Sequence, residues 1–363
     1  MRNEEKANLG EKSPKLDLYL DNSLQVGNLT ICVLCPKKYY QLLSLTECQG
    51  CKDYLGVKNS QVLCNYKEER EQPSPRNKLN DLSGSEWLFF TKSVMRSSFP
   101  LEFGHDLRKE HGASKPPRLM KLIIEFFTKP GETVLDPFAG VGGTLIGASL
   151  CNRKAVGIEI NRHWIDIYEK VIERENIEKQ TIIHGDCIEE LSKFVEQGTK
   201  FNSIITDPPY SPALEKTLCD GKYGWARRRT NLESFSDDPR DFRNSKKFEE
   251  YYDKMEEACG LMYKVLENNR YLVMMIRDSY QDGKYIPASF YVAQRAQKVG
   301  FTFKGVKIWY NTGAPLRPYG YPFSYVPNII HHNILVFKKE SEECDDAKII
   351  SQTYSSGPNV TPF

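Results

Sequence analysis

Four apolar runs in the middle of the chain each close on an acid. Val134-Leu135 ends at Asp136, residues 154–160 (KAVGIEI) carry Glu159, and residues 181–183 lead through His184-Gly185 to Asp186. The fourth, residues 201–206 (FNSIIT), runs into Asp207-Pro208-Pro209-Tyr210. Short apolar runs bounded by turn residues predict strands buried on both faces, as in a parallel sheet. Gly140, Gly142 and Gly143 follow the first run and precede an apolar helix starting near Thr144. From 248 to about 266, Met255, Ala258, Leu261, Met262 and Val265 share one side of a long predicted helix. Residues 271–276 (YLVMMI) predict another buried strand, 288–299 a helix, and 301–310 with 334–337 a final pair of strands. The alternation predicts an α/β fold, a doubly wound open sheet with a terminal antiparallel strand. In such a sheet the carboxyl ends of the strands line one crevice, where ligands bind.

The residues at those ends suit particular chemistry. Asp207-Pro208-Pro209-Tyr210 offers an acceptor carboxylate, carbonyls held rigid by proline and an aromatic face. A flat base bearing an exocyclic amine could place its two N–H bonds on the carboxylate and a carbonyl and stack on the ring. Taken alone, the tetrapeptide reads equally as a tight turn after a strand. The glycine loop lets backbone N–H groups approach a ligand at a helix start, and an acid ending the second strand suits ribose hydroxyls.

DPFAGVGGT (136–144) followed by DPPY (207–210) resembles the amino-group DNA methyltransferases, which methylate adenine N6 or cytosine N4 using S-adenosylmethionine. Residues 111–131 (HGASKPPRLMKLIIEFFTKPG) resemble that family's motif preceding the glycine loop, and 319–338 its closing segment, so the resemblance covers roughly 79–339. It implies a Rossmann-like methyltransferase sheet. Asp136, Phe138, Ala139, Gly140 and Gly142 would hold the methionyl part of the cofactor, Glu159 its ribose and Asp186 its adenine. Asp207, Pro208, Pro209 and Tyr210 would form the catalytic site. The resemblance also implies DNA as partner and a possible cognate restriction or defence component. The cofactor motif precedes DPPY with no room between Asp186 and Asp207 for a recognition domain, which marks a permuted arrangement. DPPY is more usual with adenine than cytosine, so adenine N6 is the favoured target and cytosine N4 the alternative.

At 363 residues the chain is long enough for two domains. Lys and Arg number 50 against 48 Asp and Glu, a net charge of +2, so nucleic-acid binding must come from local patches. Arg227-Arg228-Arg229, with Trp225 beside them, form one candidate patch in a basic stretch at 211–247. Residues 313–321 (GAPLRPYGY), mixing Arg317 with aromatics, are a candidate substrate loop. No run reaches the length of a membrane span and the charged N-terminus lacks the apolar core of a signal peptide, so a cytoplasmic protein without membrane partners is expected. Cys32-x-x-Cys35 and Cys48-x-x-Cys51, twelve residues apart, have the spacing of a structural four-thiolate zinc site. Cys64 is an alternative fourth ligand. The expected organisation is a zinc-ribbon-like segment at 1–66, a charged, proline-containing linker at 67–80, a methyltransferase domain at 81–340 and a polar tail at 341–363. His331 and His332, in a predicted strand without an acid at ligand spacing, read as structural.

Competing readings are an RNA methyltransferase acting on guanine N2, a glutamine-amide protein methyltransferase and a non-catalytic nucleic-acid-binding zinc protein. The second usually carries Asn where this chain has Asp207. The intact acids 136, 186 and 207 argue against the third. C5-cytosine chemistry needs a cysteine nucleophile, usually in a Pro-Cys pair, and the chain has no such dipeptide.

Overall fold

The computed structural model describes residues 15–21, 30–35, 41–58, 61–64, 73–209, 236–281 and 283–341. Five short strands and a helical turn come first: β1 (Lys15–Asp21), β2 (Thr30–Cys35), β3 (Gln41–Ser44), α1 (Leu45–Gln49), β4 (Tyr54–Lys58) and β5 (Gln61–Cys64). They form an antiparallel sheet in the order β3-β2-β1-β5-β4.

The larger part begins with α2 (Gly84–Phe90), β6 (Val94–Ser97), α3 (His105–Arg108) and α4 (Pro117–Phe127). Alternating units follow: β7 (Thr133–Asp136), α5 (Gly143–Ser149), β8 (Lys154–Glu159), α6 (Arg162–Glu175), β9 (Thr181–His184), α7 (Cys187–Glu196) and β10 (Phe201–Thr206). After the undescribed stretch come α8 (Phe248–Val265), β11 (Leu266–Ile276), β12 (Ser279–Gln281), β13 (Lys284–Ile286), α9 (Ala288–Lys298), β14 (Thr302–Asn311) and β15 (His331–Lys338).

Eight strands make one sheet in the order β6-β14-β15-β11-β10-β7-β8-β9. Strands β11, β10, β7, β8 and β9 are mutually parallel. The last strand of the chain, β15, runs antiparallel to β11 and β14, and it lies inside the sheet rather than at its edge. The edge belongs to β6, parallel to β14. The central strands carry buried apolar runs, Ile204-Ile205 in β10 and residues 272–276 in β11, because helices cover both faces. On one face α4, α5 and α6 bury Ile123, Leu145 and Trp164; on the other α7, α8 and α9 bury Leu191, Met255 and Val292. The α8 stripe falls at helical spacing, with Tyr251, Met255, Ala258, Cys259, Met262 and Val265 all buried. Cys151, Cys187 and Cys259 are core residues; Cys219 and Cys344 lie outside the described residues.

Local chemistry sets the helix starts. Ser83 and Glu86 make a reciprocal capping box at α2, Pro117 opens α4, and the Asn161 side chain caps α6 by accepting from His163 N–H at 2.9 Å. Asn80, within the stretch expected as a linker, is fully buried and donates to the Phe126 carbonyl at 2.5 Å.

Candidate active site

Because β7, β8, β9 and β10 are parallel, the acids that follow them emerge at one edge of the sheet. There they line a crevice with Gly140, Trp164 and Phe242. Asp136, Phe138, Ala139, Glu159, Asp186, Asp207, Pro208 and Pro209 all line it. Gly142, at the back of the loop, is not among the lining residues. Tyr210 and the Arg227–Arg229 run lie outside the described residues.

The glycine loop is held from beneath. Glu159 Oε2 accepts from the Gly140 N–H and Oε1 from the Asn161 N–H, both at 2.8 Å. Gly142 adopts φ +74°, and a Cβ there would sit 2.2 Å from the Tyr168 ring, so only glycine lets α5 start against α6. Asp136 Oδ1 accepts from the Thr206 hydroxyl at 2.5 Å and the Phe138 N–H at 3.1 Å. Burial pushes Glu159 up to about 7 and Asp136 up to about 6, against the hydrogen bonds that lower both. An ionised carboxylate has about four acceptor sites, so Glu159 retains capacity for ligand hydroxyls after serving the backbone.

Asp186 is committed locally. It is the N-cap of α7, with Oδ1 accepting from Ile188 N–H at 2.9 Å and Glu189 N–H at 3.1 Å. Phe138 meets Phe242 edge-on at 5.1 Å between centroids, giving the crevice an aromatic wall.

Asp207 carries a partner that local sequence did not disclose. Lys115 Nζ donates to its Oδ2 at 2.5 Å and to the Ala113 carbonyl at 3.0 Å. The lysine side chain is 6% exposed and the carboxylate 17%. Burial lowers the lysine pKa, and Asp207 opposes that shift. Arg108, itself buried, fixes this segment by donating to the Lys115 carbonyl at 2.6 Å and, more weakly, to the Val141 carbonyl at 3.4 Å. The Tyr251 hydroxyl, from α8, donates to the Pro209 carbonyl at 2.7 Å, tying the DPPY backbone to the core. Lys115 lies in the segment resembling the motif before the glycine loop, which is the one signal that could have singled it out. Nothing in the α8 stripe distinguishes Tyr251 from a core residue.

His332 stacks on Trp309 at 4.9 Å and burial lowers its pKa to about 2, in keeping with a structural histidine. Cys35, Cys48, Cys51 and Cys64 are not joined in disulfides. Cys48 is pushed up to about 11, first by burial and then by the nearby thiols of Cys35, Cys64 and Cys51. The Cys32 side chain lies outside the described residues. Among the described residues no group of three or more His, Cys, Asp or Glu side chains is set to hold a metal ion, and no helix is long and apolar enough to cross a membrane.

A parallel sheet with acids at successive strand ends, a glycine loop opening a helix and an acid–proline–proline turn define a Rossmann-like methyltransferase. The N6/N4 methyltransferase family model, described as DNA methylase, matches residues 36–170 and 201–360, and the chain belongs to that family. The chain is 45% identical over 75 residues to the Type II methyltransferase M.HindIII of Haemophilus influenzae, covering 21% of this chain and 23% of that protein. It is 40% identical over 63 residues to the Type II methyltransferase M.HinfI of the same species, covering 17% and 18%. It is also 33% identical over 95 residues to the tRNA (guanine(10)-N2)-dimethyltransferase of Pyrococcus abyssi, covering 26% and 28%. The chain thus spans about a quarter, or less, of the length of these relatives.

Proposed function

We propose that this protein transfers a methyl group from S-adenosylmethionine to an exocyclic amino group of a base in DNA, with adenine N6 favoured and cytosine N4 the alternative. The observation that carries the reading is the shared crevice: Asp207, on its proline-braced turn, faces the same space as the Gly140–Glu159 cradle. The residues fit the cofactor. Glu159 is a buried carboxylate with acceptor capacity for ribose hydroxyls, the loop bearing Gly140 lets a ligand approach the backbone, and Asp136 sits where the methionyl end would lie. Asp186 would take the adenine with whatever acceptor capacity its capping role leaves.

When bound, S-adenosylmethionine supplies an electrophilic methyl on a sulfonium sulfur. The chain's own residues must make a poor nucleophile attack it. The exocyclic amine is weak because its lone pair is delocalised into the ring. Asp207 and the Pro208 carbonyl would accept its two N–H bonds and favour tetrahedral geometry at nitrogen. As nitrogen takes up the methyl, positive charge would grow on it; the Asp207 carboxylate would stabilise that charge, and the surplus proton would pass to solvent water. Lys115 holds Asp207 in place through its 2.5 Å hydrogen bond to Oδ2. Tyr251 fixes the turn, and Tyr210 would stack on the base.

In the same reading, Arg227, Arg228 and Arg229 contact phosphates, and a restriction or defence partner and a cytoplasmic location are expected. The proposed organisation is an N-terminal segment at 1–66, a connecting stretch at 67–80 whose last residues pack onto the larger part through Leu79 and Asn80, a methyltransferase domain at 81–340 and a tail at 341–363. A structural zinc would be held in the N-terminal segment. Spacing points to Cys32, Cys35, Cys48 and Cys51, whereas the grouping round Cys48 favours Cys64 as a member. The tRNA-modifying relatives keep guanine-N2 transfer to RNA as a second reading. Tritium transfer from labelled S-adenosylmethionine to unmethylated genomic DNA, total RNA and protein tests the proposal; label in RNA alone overturns it.

A further inference from the structure

The loop joining β14 to β15 exposes a run of large apolar side chains. Leu316, Tyr319, Tyr321, Phe323 and Tyr325 are all exposed within ten consecutive positions, the last three at 76%, 80% and 85%. Single exposed apolar residues are ordinary, but a contiguous set marks a contact site. The loop is also built. Arg317 and Asn328 exchange two hydrogen bonds of 2.8 Å across its neck. Gly320, at φ +72°, closes a turn in which its carbonyl accepts from the Phe323 and Ser324 N–H groups at 2.7 and 2.8 Å. A Cβ at Gly320 would lie 2.2 Å from the Ser324 carbonyl oxygen. The backbone is therefore held while the rings project outward.

Its position gives the partner. The C-terminal end of β14 and the start of β15 lie at the same sheet edge as the ends of β11 and β10. Strand β15 is two inter-strand spacings from β10, about 10 Å from the strand that delivers Asp207. Arg277, at the end of β11, donates to the Ile329 carbonyl in the loop's returning arm and lies close enough to Lys115 to lower its pKa. Between Asn311 and His331 the chain carries one arginine and no acid. A base reaching Asp207 must leave its stack, and the gap beside it exposes base faces and sugar edges. Exposed rings without carboxylates, next to that entry point, match those faces.

We propose that residues 312–330 form an aromatic finger that packs Tyr321, Phe323 and Tyr325 against duplex DNA beside the base entering the Asp207 pocket. This rests on the proposed DNA substrate. The probes are a fluorescein-labelled duplex of mixed sequence, for binding by anisotropy, and unmethylated genomic DNA, for tritium transfer. The full-length Y321A/F323A/Y325A variant is compared with wild type, with thermal stability and S-adenosylmethionine affinity as folding controls. The expected result is unchanged controls, duplex binding weakened by about tenfold or more, and transfer reduced at least as much. A folded triple variant that binds and methylates DNA like a wild type active on DNA overturns the finger while leaving the substrate assignment intact. Wild-type protein that neither binds nor methylates DNA overturns the substrate assignment, and the finger with it. A change in oligomeric state with DNA binding intact assigns the rings to a second copy of the chain and overturns the proposal. If F323A alone already halves duplex affinity without changing the controls, the same conclusion stands should the triple variant fold poorly.

Discussion

Substituting Glu159 by glutamine separates the charge of this residue from its role as a backbone brace. Its carboxyl is raised from an ordinary 4.5 to about 7, chiefly by burial. At 1.36 kcal/mol per unit, that corresponds to about 3 kcal/mol between the two protonation states. The native state binds the proton more tightly than the unfolded chain. The stabilisation from this group is therefore complete below about pH 4.5 and lost as the pH rises through about 7. Asp136, raised to about 6 for the same reason, adds a second fall of the same sign, complete about one unit lower. The variant retains only the Asp136 fall. It also suffers an offset that does not depend on pH. A glutamine amide has one acceptor oxygen, so either the Gly140 or the Asn161 N–H loses its partner, at about 1–3 kcal/mol. Urea unfolding of ligand-free wild type and E159Q, from about pH 4.5 to 8, reads both effects. The stability difference between them should shrink, or reverse, by about 3 kcal/mol toward high pH. Parallel curves separated by a constant offset would refute the buried, proton-binding state of Glu159.

Asp207→Ala is expected to abolish methyl transfer and leave calorimetric cofactor affinity nearly unchanged. It should also cost about 3–5 kcal/mol of stability by stranding the buried Lys115 ammonium, most of which K115M/D207A restores; full activity in the single variant would sink the mechanism. Tyr251→Phe should cost about 1 kcal/mol and lower kcat more than cofactor affinity, and an unaltered kcat would remove Tyr251 from the positioning of the turn. Protein purified without chelator should contain one zinc per chain, and C64S should lower the content as C48S does. Less than about a tenth of an equivalent in wild type argues against any metal, and full zinc in C64S with loss in C32S restores the spacing-based set. Changing Arg227, Arg228 and Arg229 to alanine should weaken DNA binding and reduce its salt slope by about one unit per lost phosphate contact; wild-type binding across a salt titration would place the run on a solvated face.

What could be read in advance was local. Strands β7, β8 and β10 announce themselves because burial favours apolar runs, edge strand β9 is marked by its Ile182-Ile183 pair, and the acids that follow all four mark the crevice. The α8 stripe is likewise a pattern within one element. Strand β6, with its alternating exposure, carries no such unbroken apolar run. The contacts that shape the candidate site span long separations. Lys115 and Asp207 are 92 positions apart and Tyr251 and Pro209 are 42 apart, so no periodicity links them. Asp186 could be placed at the crevice from its strand, but its work as a helix cap depends on the α7 N–H groups turning toward it. Glu159 could be placed at a strand end from the sequence; that it braces the glycine loop required the fold.

The sheet order has a topological consequence. Residues 74–87 enter the large sheet's domain beside Asn269, Arg270 and Tyr271, where Lys338 at the end of β15 also arrives. This meeting point is at the amino ends of the parallel strands, across the sheet from the crevice. A short bridge there could join the two ends of the domain, and a cut in an exposed connection elsewhere could supply new termini, without moving a single crevice residue. Such a fold is indifferent to whether the glycine-loop half or the half bearing Asp207 is translated first. The permuted motif order of this chain is one of several linear orders that the same three-dimensional arrangement tolerates.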